Sequence, residues 1–235
     1  MNVFGTSVQG PAHKAEGLPN QDAWLHAHVG NMRVVVVSDG MGSRPFAREG
    51  AMAACRATVD ALRQWRRNPA APPEILVSMI HLFWRARVAP LPPAECACTC
   101  LFAAADQNGM GIVGQLGDGL VLIRNDTGVR SLQNRDPNHF SNQTEGLGVS
   151  RNITAWSTAP LNTDIRAVVL STDGVADDLL PERFEDFVNW LEKDIGLQAP
   201  QRRWRALATA LRRWPTPRHI DDKTIAVLQF SRRNK

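Results

Sequence analysis

Four consecutive valines, Val34–Val37, run into Ser38, Asp39 and Gly40. β-Branched residues with no polar break predict a strand buried on both faces, so the aspartate at its exit stands at the rim of a sheet. RAVVLSTDG, residues 166–174, repeats the arrangement: an apolar run, then Asp173 with glycine after it. Between the two, the period changes. Residues 44–66 place Ala47, Ala51, Ala54, Cys55, Thr58, Leu62 and Trp65 on one stripe, with Arg48, Glu49, Arg56, Asp60 and Arg63 opposite, which predicts an amphipathic helix. A second helix over about 73–88 stops before the PLPP cluster, and NPAAPP joins the two.

CACTCLFAAAD, GIVGQLGD, GLVLIRNDTG and VRSLQ read as short strands divided by Asp-Gln-Asn-Gly and Asn-Asp-Thr-Gly turns, and such close spacing predicts antiparallel neighbours. Residues 134–150 lack periodicity and read as a loop. Helical patterns return over about 175–193 and 198–214, and KTIAVLQF forms a last strand. In the second of these helices Trp204, Leu207, Ala208, Leu211 and Trp214 fall at helical spacing, which predicts tryptophans toward the core and arginines toward water. The expectation is a single α+β domain over residues 1–235, with packed sheets flanked by helices.

Composition narrows the class. Hydrophobic residues at 43% and charged residues at 21% exclude a disordered chain. No apolar run reaches the length of a membrane span, and MNVFGTSVQG lacks the regions of a secretion signal, so the expected location is the cytoplasm, with no membrane partner. Cys96, Cys98 and Cys100 alternate, which on a strand turns all three to one face; the spacing is unlike that of zinc sites and predicts buried, reduced thiols. The net charge of +4 is carried mainly by arginines in QWRRN, QRRWR and LRRWP. No stacking platform or reading motif accompanies them, so nucleic acid is not an expected partner. A solvated face is the plain reading, and a docking surface for an acidic partner comes next.

The acidic residues carry more. VVVVSDG, GQLGDG and VVLSTDG each place an aspartate at or near a strand end with glycine after it; Asp221-Asp222 stands before the last strand, and Asp22 ends Asn20-Gln21-Asp22 before an early apolar stretch. One Asp-Gly alone reads as a turn. Several on neighbouring strands converge on one rim, where unpaired carboxylates are costly to bury and a divalent cation would join them. Oxygen-only ligands select Mg2+ or Mn2+ over zinc or copper, and the glycine leaves a backbone carbonyl free to approach a metal. Two ions about 3.5–4 Å apart can lower the pKa of a bridging water and position it for attack on phosphorus. This chemistry predicts a metal-dependent phosphoester hydrolase.

NQDAW, SDGMGS, CTCLFAA, QLGDGLVLI, STDGVADD and DDKTIAVL occur in that order over nearly the whole chain. Together they resemble the metal-dependent protein phosphatases of type 2C, the PPM family, and GTS…GLPNQDA with FSNQTEGLG is more similar to its compact bacterial branch. The resemblance implies a four-layer α-β-β-α sandwich of two antiparallel sheets flanked by helices, with metals in a cleft at one end. It implies a serine/threonine phosphatase with two Mn2+ or Mg2+ ions and room for a third. By position, Asp39 bridges both ions, the Gly40 carbonyl binds one, Asp173 and Asp221 complete the set, and Asp22 contributes through water. Asp39, Asp173 and Asp221 are thus the implied catalytic residues. Asp118 and Asp177 match positions tied to a third, weaker metal. The implied nucleophile is a hydroxide bridging the metals, without a phosphoenzyme.

Three positions depart from the family pattern. HKAEGLP lacks the arginine that many members carry before the Asn-Gln-Asp motif to hold phosphate, which leaves Lys14 or His13 to take that part. Met41 stands where some relatives have a histidine proposed as general acid, so leaving-group protonation falls to another group, such as metal-bound water. Ser43 and Arg44 replace a glycine-rich continuation; Arg44 either contacts phosphate or begins the helix. His219 reads as structural, because a hard metal has little need of imidazole, and Glu95 as an ordinary loop carboxylate. The expected partner is a phosphorylated protein, a cognate kinase or its target, met by a monomer. The missing arginine also motivates a second reading, a phosphatase-like module that binds a phosphoprotein or signalling partner with little turnover.

Overall fold

In the computed structural model, which describes residues 1–42, 44–133, 145–149, 152–214 and 220–230, the valine run lies in β3 (Met32–Ser38). Val34 and Val36 enter one apolar layer, Val35 and Val37 enter another, and all four are 0% exposed. A side chain on each face of a strand needs cover on both sides. The cover is a helical layer on one side and a second sheet on the other.

The first sheet runs antiparallel in the order β2 (Ala23–Val29), β3, β4 (Cys100–Ala105), β5 (Gly111–Leu116), β8 (Ser157–Leu161). The second is also antiparallel, in the order β1 (Asn2–Val8), β10 (Lys223–Gln229), β9 (Ala167–Ser171), β6 (Leu120–Asn125), β7 (Gly128–Ser131). Val35, Val37, Leu101 and Ala103 of one sheet meet Val121, Val168, Leu170 and Ala226 of the other in the central core. Helices α2 (Ala47–Trp65) and α3 (Pro73–Val88) cover the first sheet through residues such as Ala54, Leu62, Ile80 and Trp84. On the second sheet lie α5 (Phe184–Trp190) and α6 (Pro200–Arg212), through Phe187, Val188, Leu207 and Leu211. The result is the four-layer α-β-β-α sandwich of antiparallel sheets expected from the sequence.

Register brings the acidic positions to one end. Ala23 pairs with Ser38, so Asp22 and Asp39 are the next residues outward on adjacent strands. Ser171 pairs with both Leu120 and Ile225, which sets Asp118, Asp173 and Asp221 beyond the same end of the second sheet.

The chain departs from its sequence pattern in five places. The pattern over 175–193 is broken into α4 (Asp173–Ala176), a 3-10 turn at Pro181–Arg183, α5, and a π-helical turn at Leu191–Ile195; Pro181, without an N–H, opens a new turn instead of extending the old one. Helix α2 begins at Ala47, later than the 44 read from the stripe, because the Arg44 N–H closes a turn on the Met41 carbonyl at 2.9 Å. The cysteine-rich stretch enters the sheet only at Cys100: Cys96 ends a short 3-10 turn and Cys98 makes an isolated bridge to Leu147. All four thiols are buried and reduced in one apolar layer, and burial pushes Cys100 up to about 12, so these thiols stay protonated. Strand β8, with Pro160 inside it, has no alternating apolar signal and sits at a sheet edge, where proline is tolerated. Trp204, expected in the core, is 53% exposed, while its neighbour Arg203 is 8% exposed with its guanidinium 5.0 Å from the centre of the Phe4 ring. Trp214 is half-buried as its position predicts. Of the loop read over 134–150, residues 134–144 and 150 lie outside the described residues.

Candidate active site

Asp39 leaves β3 with its backbone held at both ends. Its N–H donates to Thr99 Oγ1 at 2.9 Å and its carbonyl accepts from the Thr99 N–H at 2.8 Å. Gly40 is buried against the start of α2, where a Cβ would stand 2.6 Å from the Ala47 carbonyl oxygen, so no other residue fits without moving the helix. Asp173 begins α4 directly after Thr172, close enough to Asp39 for each carboxyl to feel the other. Burial first, then the charges of Asp22, Asp173 and Asp221, hold Asp39 well above the usual carboxylate range. Asp173 is pushed up to about 6 by burial, then by Asp118, Asp221 and Asp177. Asp173 Oδ1 is buried with no hydrogen-bond partner among the described residues.

Asp22 ties the two sheets together. Its Oδ2 accepts from Thr172 Oγ1 at 2.9 Å and from Thr224 Oγ1 at 2.6 Å, and burial, the largest effect, pushes it up to about 8. Asp221 is half-exposed, with Oδ1 accepting from the Asp222 N–H at 2.7 Å. Asp118 and Asp177 are exposed at the outer edge of the group. Gly174 fixes the spacing between α4 and the entry to β10: a Cβ there would stand 2.0 Å from the Asp222 carbonyl oxygen. Gly174→Ala is expected to push α4 outward and lower both Tm and Mn2+ affinity, readable by melting with and without Mn2+; an unchanged affinity would show that α4 does not set the site.

Asp222, named from the sequence only as the partner of Asp221 and given no role of its own, is 2% exposed and accepts three hydrogen bonds: from the Gly10 N–H at 2.7 Å, the Gln21 N–H at 2.6 Å and His13 Nδ1 at 2.8 Å. His13 lies on α1 (Pro11–Glu16), and its Nε2 faces the turn after Asp39, 4.0 Å from where a Gly42 Cβ would be. Gln21 Oε1 is buried there without a partner among the described residues, 3.7 Å from the same point. Lys14 and Arg44 are exposed. Met41 turns its Cε against Gly146. Buried Lys223 donates from Nζ to the Asp221 carbonyl at 2.9 Å. Ser43 and His219 lie outside the described residues.

Among the described residues, the one trio of ligand atoms that all lie within 4.8 Å of one another is His13, Asp221 and Asp222. In it His13 Nδ1 is already hydrogen-bonded to Asp222, while Asp39 and Asp173 both feel the charge of Asp221. The arrangement offers hard oxygen donors, crowded enough to take up protons, with one buried oxygen left over. These are the features a divalent cation would satisfy.

The family described as Protein phosphatase 2C matches residues 9–213 of the chain. The chain belongs to the protein phosphatase 2C family. The chain is therefore a protein phosphatase of a metal-dependent family. Solved structures of this phosphatase fold agree over the full length. A bacterial serine phosphatase superimposes with a TM-score of 0.70 at 11% identity, covering 100% of both chains. The photosystem II phosphatase PBCP gives 0.70 at 15% identity over 98% of each chain. The serine/threonine phosphatase Stp1 from Staphylococcus aureus gives 0.69 at 12% identity, over 99% of this chain and 96% of its own. No curated protein sequence matches the chain. Among the described residues of this phosphatase, no helix is long and apolar enough to cross a membrane.

Proposed function

We propose that this phosphatase hydrolyses phosphoserine and phosphothreonine in proteins at a centre of two Mn2+ or Mg2+ ions. The observation that supports it is the convergence of Asp22, Asp39, Asp173 and Asp221 at one end of the two sheets, with Asp173 Oδ1 buried there and unpartnered among the described residues. Asp39 would hold both ions, with the Gly40 carbonyl, Asp173 and Asp221 completing their ligands and Asp22 orienting water from behind. Asp118 and Asp177 would hold a weaker third ion. Bound there, the ions would neutralise the carboxylates and lower the pKa of a water so that it reaches phosphorus as hydroxide. Thr172 and Thr224 hold the Asp22 carboxylate in place, and Thr99 aims Asp39.

His13 takes the part of the missing arginine. With Nδ1 donating to Asp222, its Nε2 is turned to the turn that follows Asp39. Lys14 and Arg44 point to solvent without such support. His13→Ala is expected to raise KM for a phosphothreonine peptide roughly tenfold, while Lys14→Ala and Arg44→Ala change it less than about twofold. Equal effects at all three would remove the assignment.

The direct test is release of inorganic phosphate from phosphoserine, phosphothreonine and phosphotyrosine peptides with Mn2+ and with chelator. Turnover of the first two, abolished by chelator, is the expected result. Phosphopeptide binding without turnover in any metal would instead favour the binding module. The expected partner remains a phosphorylated protein, a kinase or its target, met in the cytoplasm by a monomer.

A further inference from the structure

Helix α6 is more basic than its own stability can explain. Its buried stripe, Arg203, Leu207, Ala208 and Leu211, packs toward β1, while Arg202, Arg205, Arg212 and Arg213 are exposed. No acidic residue lies in the helix, and among the described residues none of these four arginines pairs with a carboxylate. Arg202 in the first turn opposes the helix dipole, and arginines along one face repel one another. Arg205 and Arg212, seven residues apart, share one row of the helix, with Arg202 and Arg213 on the same side. Trp204, 53% exposed, falls instead at the angle of the buried stripe. Arginine is among the residue types most often found at the energetic centre of an interface.

The placement of the helix says which partner. Trp214 Nε1, just past its end, donates to Asp178 Oδ2 at 3.1 Å. Asp178 follows directly on Asp177, so the end of α6 that carries Arg212 and Arg213 adjoins α4 and Asp173. From there the helix runs outward by about 20 Å, the length of roughly six residues of extended peptide. A protein whose phosphorylated residue sits at Asp39 and Asp173 therefore has its flanking chain within reach of this face.

We infer that the exposed face of α6 docks an acidic segment of the phosphoprotein substrate, several residues from the phosphorylated one. This rests on the phosphatase reading above. Carboxylates meet the guanidinium forks. The arginine row carries no aromatic side chain on which bases could stack, so an acidic peptide fits better than a nucleic acid strand.

The test uses two phosphothreonine peptides alike around the phosphothreonine, one carrying an Asp/Glu-rich segment beyond six residues and the other Ser and Gln there. The wild type is expected to favour the acidic peptide roughly tenfold in kcat/KM, mainly through KM, with the preference fading as salt rises. Arg205→Glu with Arg212→Glu should bring the ratio toward one, and Trp204→Ala, off that row, should leave it, while p-nitrophenyl phosphate turnover is unchanged in both. Fluorescence anisotropy of the labelled, unphosphorylated acidic peptide reads docking without catalysis, so inactivity toward every phosphate ester would leave this inference still decided. Equal kcat/KM for the two peptides in the wild type, a preference surviving the double variant, or binding of a single-stranded oligonucleotide in place of the acidic peptide would overturn it.

Discussion

Asp39→Asn is expected to lower kcat/KM toward a phosphothreonine peptide by well over about 100-fold while raising the melting temperature of the metal-free protein. The two signs come from one cause. Burial and the charges of Asp22, Asp173 and Asp221 hold the Asp39 carboxyl far above its ordinary range, so the folded chain bears an electrostatic cost at neutral pH. Asparagine keeps the shape and removes the charge, which relieves that cost. It also removes the carboxylate proposed to join both ions. Losing a residue that merely supports a metal ligand typically costs 10–100-fold, so losing the shared ligand should exceed about 100-fold. Steady-state kinetics in Mn2+ and a melt in chelator read the two effects. Retained activity, or a lower metal-free melting temperature, would contradict the role given to Asp39.

The second large effect is a pH dependence that metal abolishes. Burial, ahead of its acidic neighbours, pushes Asp22 up to about 8 and Asp173 up to about 6, from 3.8. Above 3.8 the unfolded chain has released these protons and the folded chain still holds them, so stability falls as pH rises toward 8. Between pH 5.5 and 8 the loss is on the order of 3 kcal/mol, most of it from Asp22, or about 6–12 °C in melting temperature for a chain of this size. Cations at the rim compete with the protons and hold the carboxylates charged. With saturating Mn2+ the melting temperature should stay nearly flat over this range, and with chelator it should drop. Parallel curves would mean that the ions do not bind among these carboxylates.

The parts legible in the sequence are those with local causes. The valine run needs cover on both faces, so a sheet between two layers could be read from four residues, and aspartates at strand exits share a rim once the strands are neighbours. Arg203 and Trp204 were not legible in the same way. Helical spacing fixes the angle at which each side chain leaves the axis, but not how far the layer beneath extends, and at this turn the long stem of Arg203 covers Phe4 while Trp204 overhangs. The resemblance gave Asp221 the metal, but the sequence did not say what Asp222 does. Asp222 turns inward because Gly10, His13 and Gln21, some 200 residues earlier in the chain, supply its donors. Such pairing appears only when the first and last strands meet. The helix over 175–193 failed for a visible reason, Pro181, that the apolar pattern outweighed.

Calorimetric titration of the metal-free protein with Mn2+ tests the acidic rim most directly. The expected result is two ions per chain in the wild type, with Asp39→Asn losing both, because its carboxylate is the one they would share. No binding in the wild type, or a full count of ions that survives Asp39→Asn and disappears with His13→Ala, would contradict a centre built on Asp39 and move it to His13, Asp221 and Asp222.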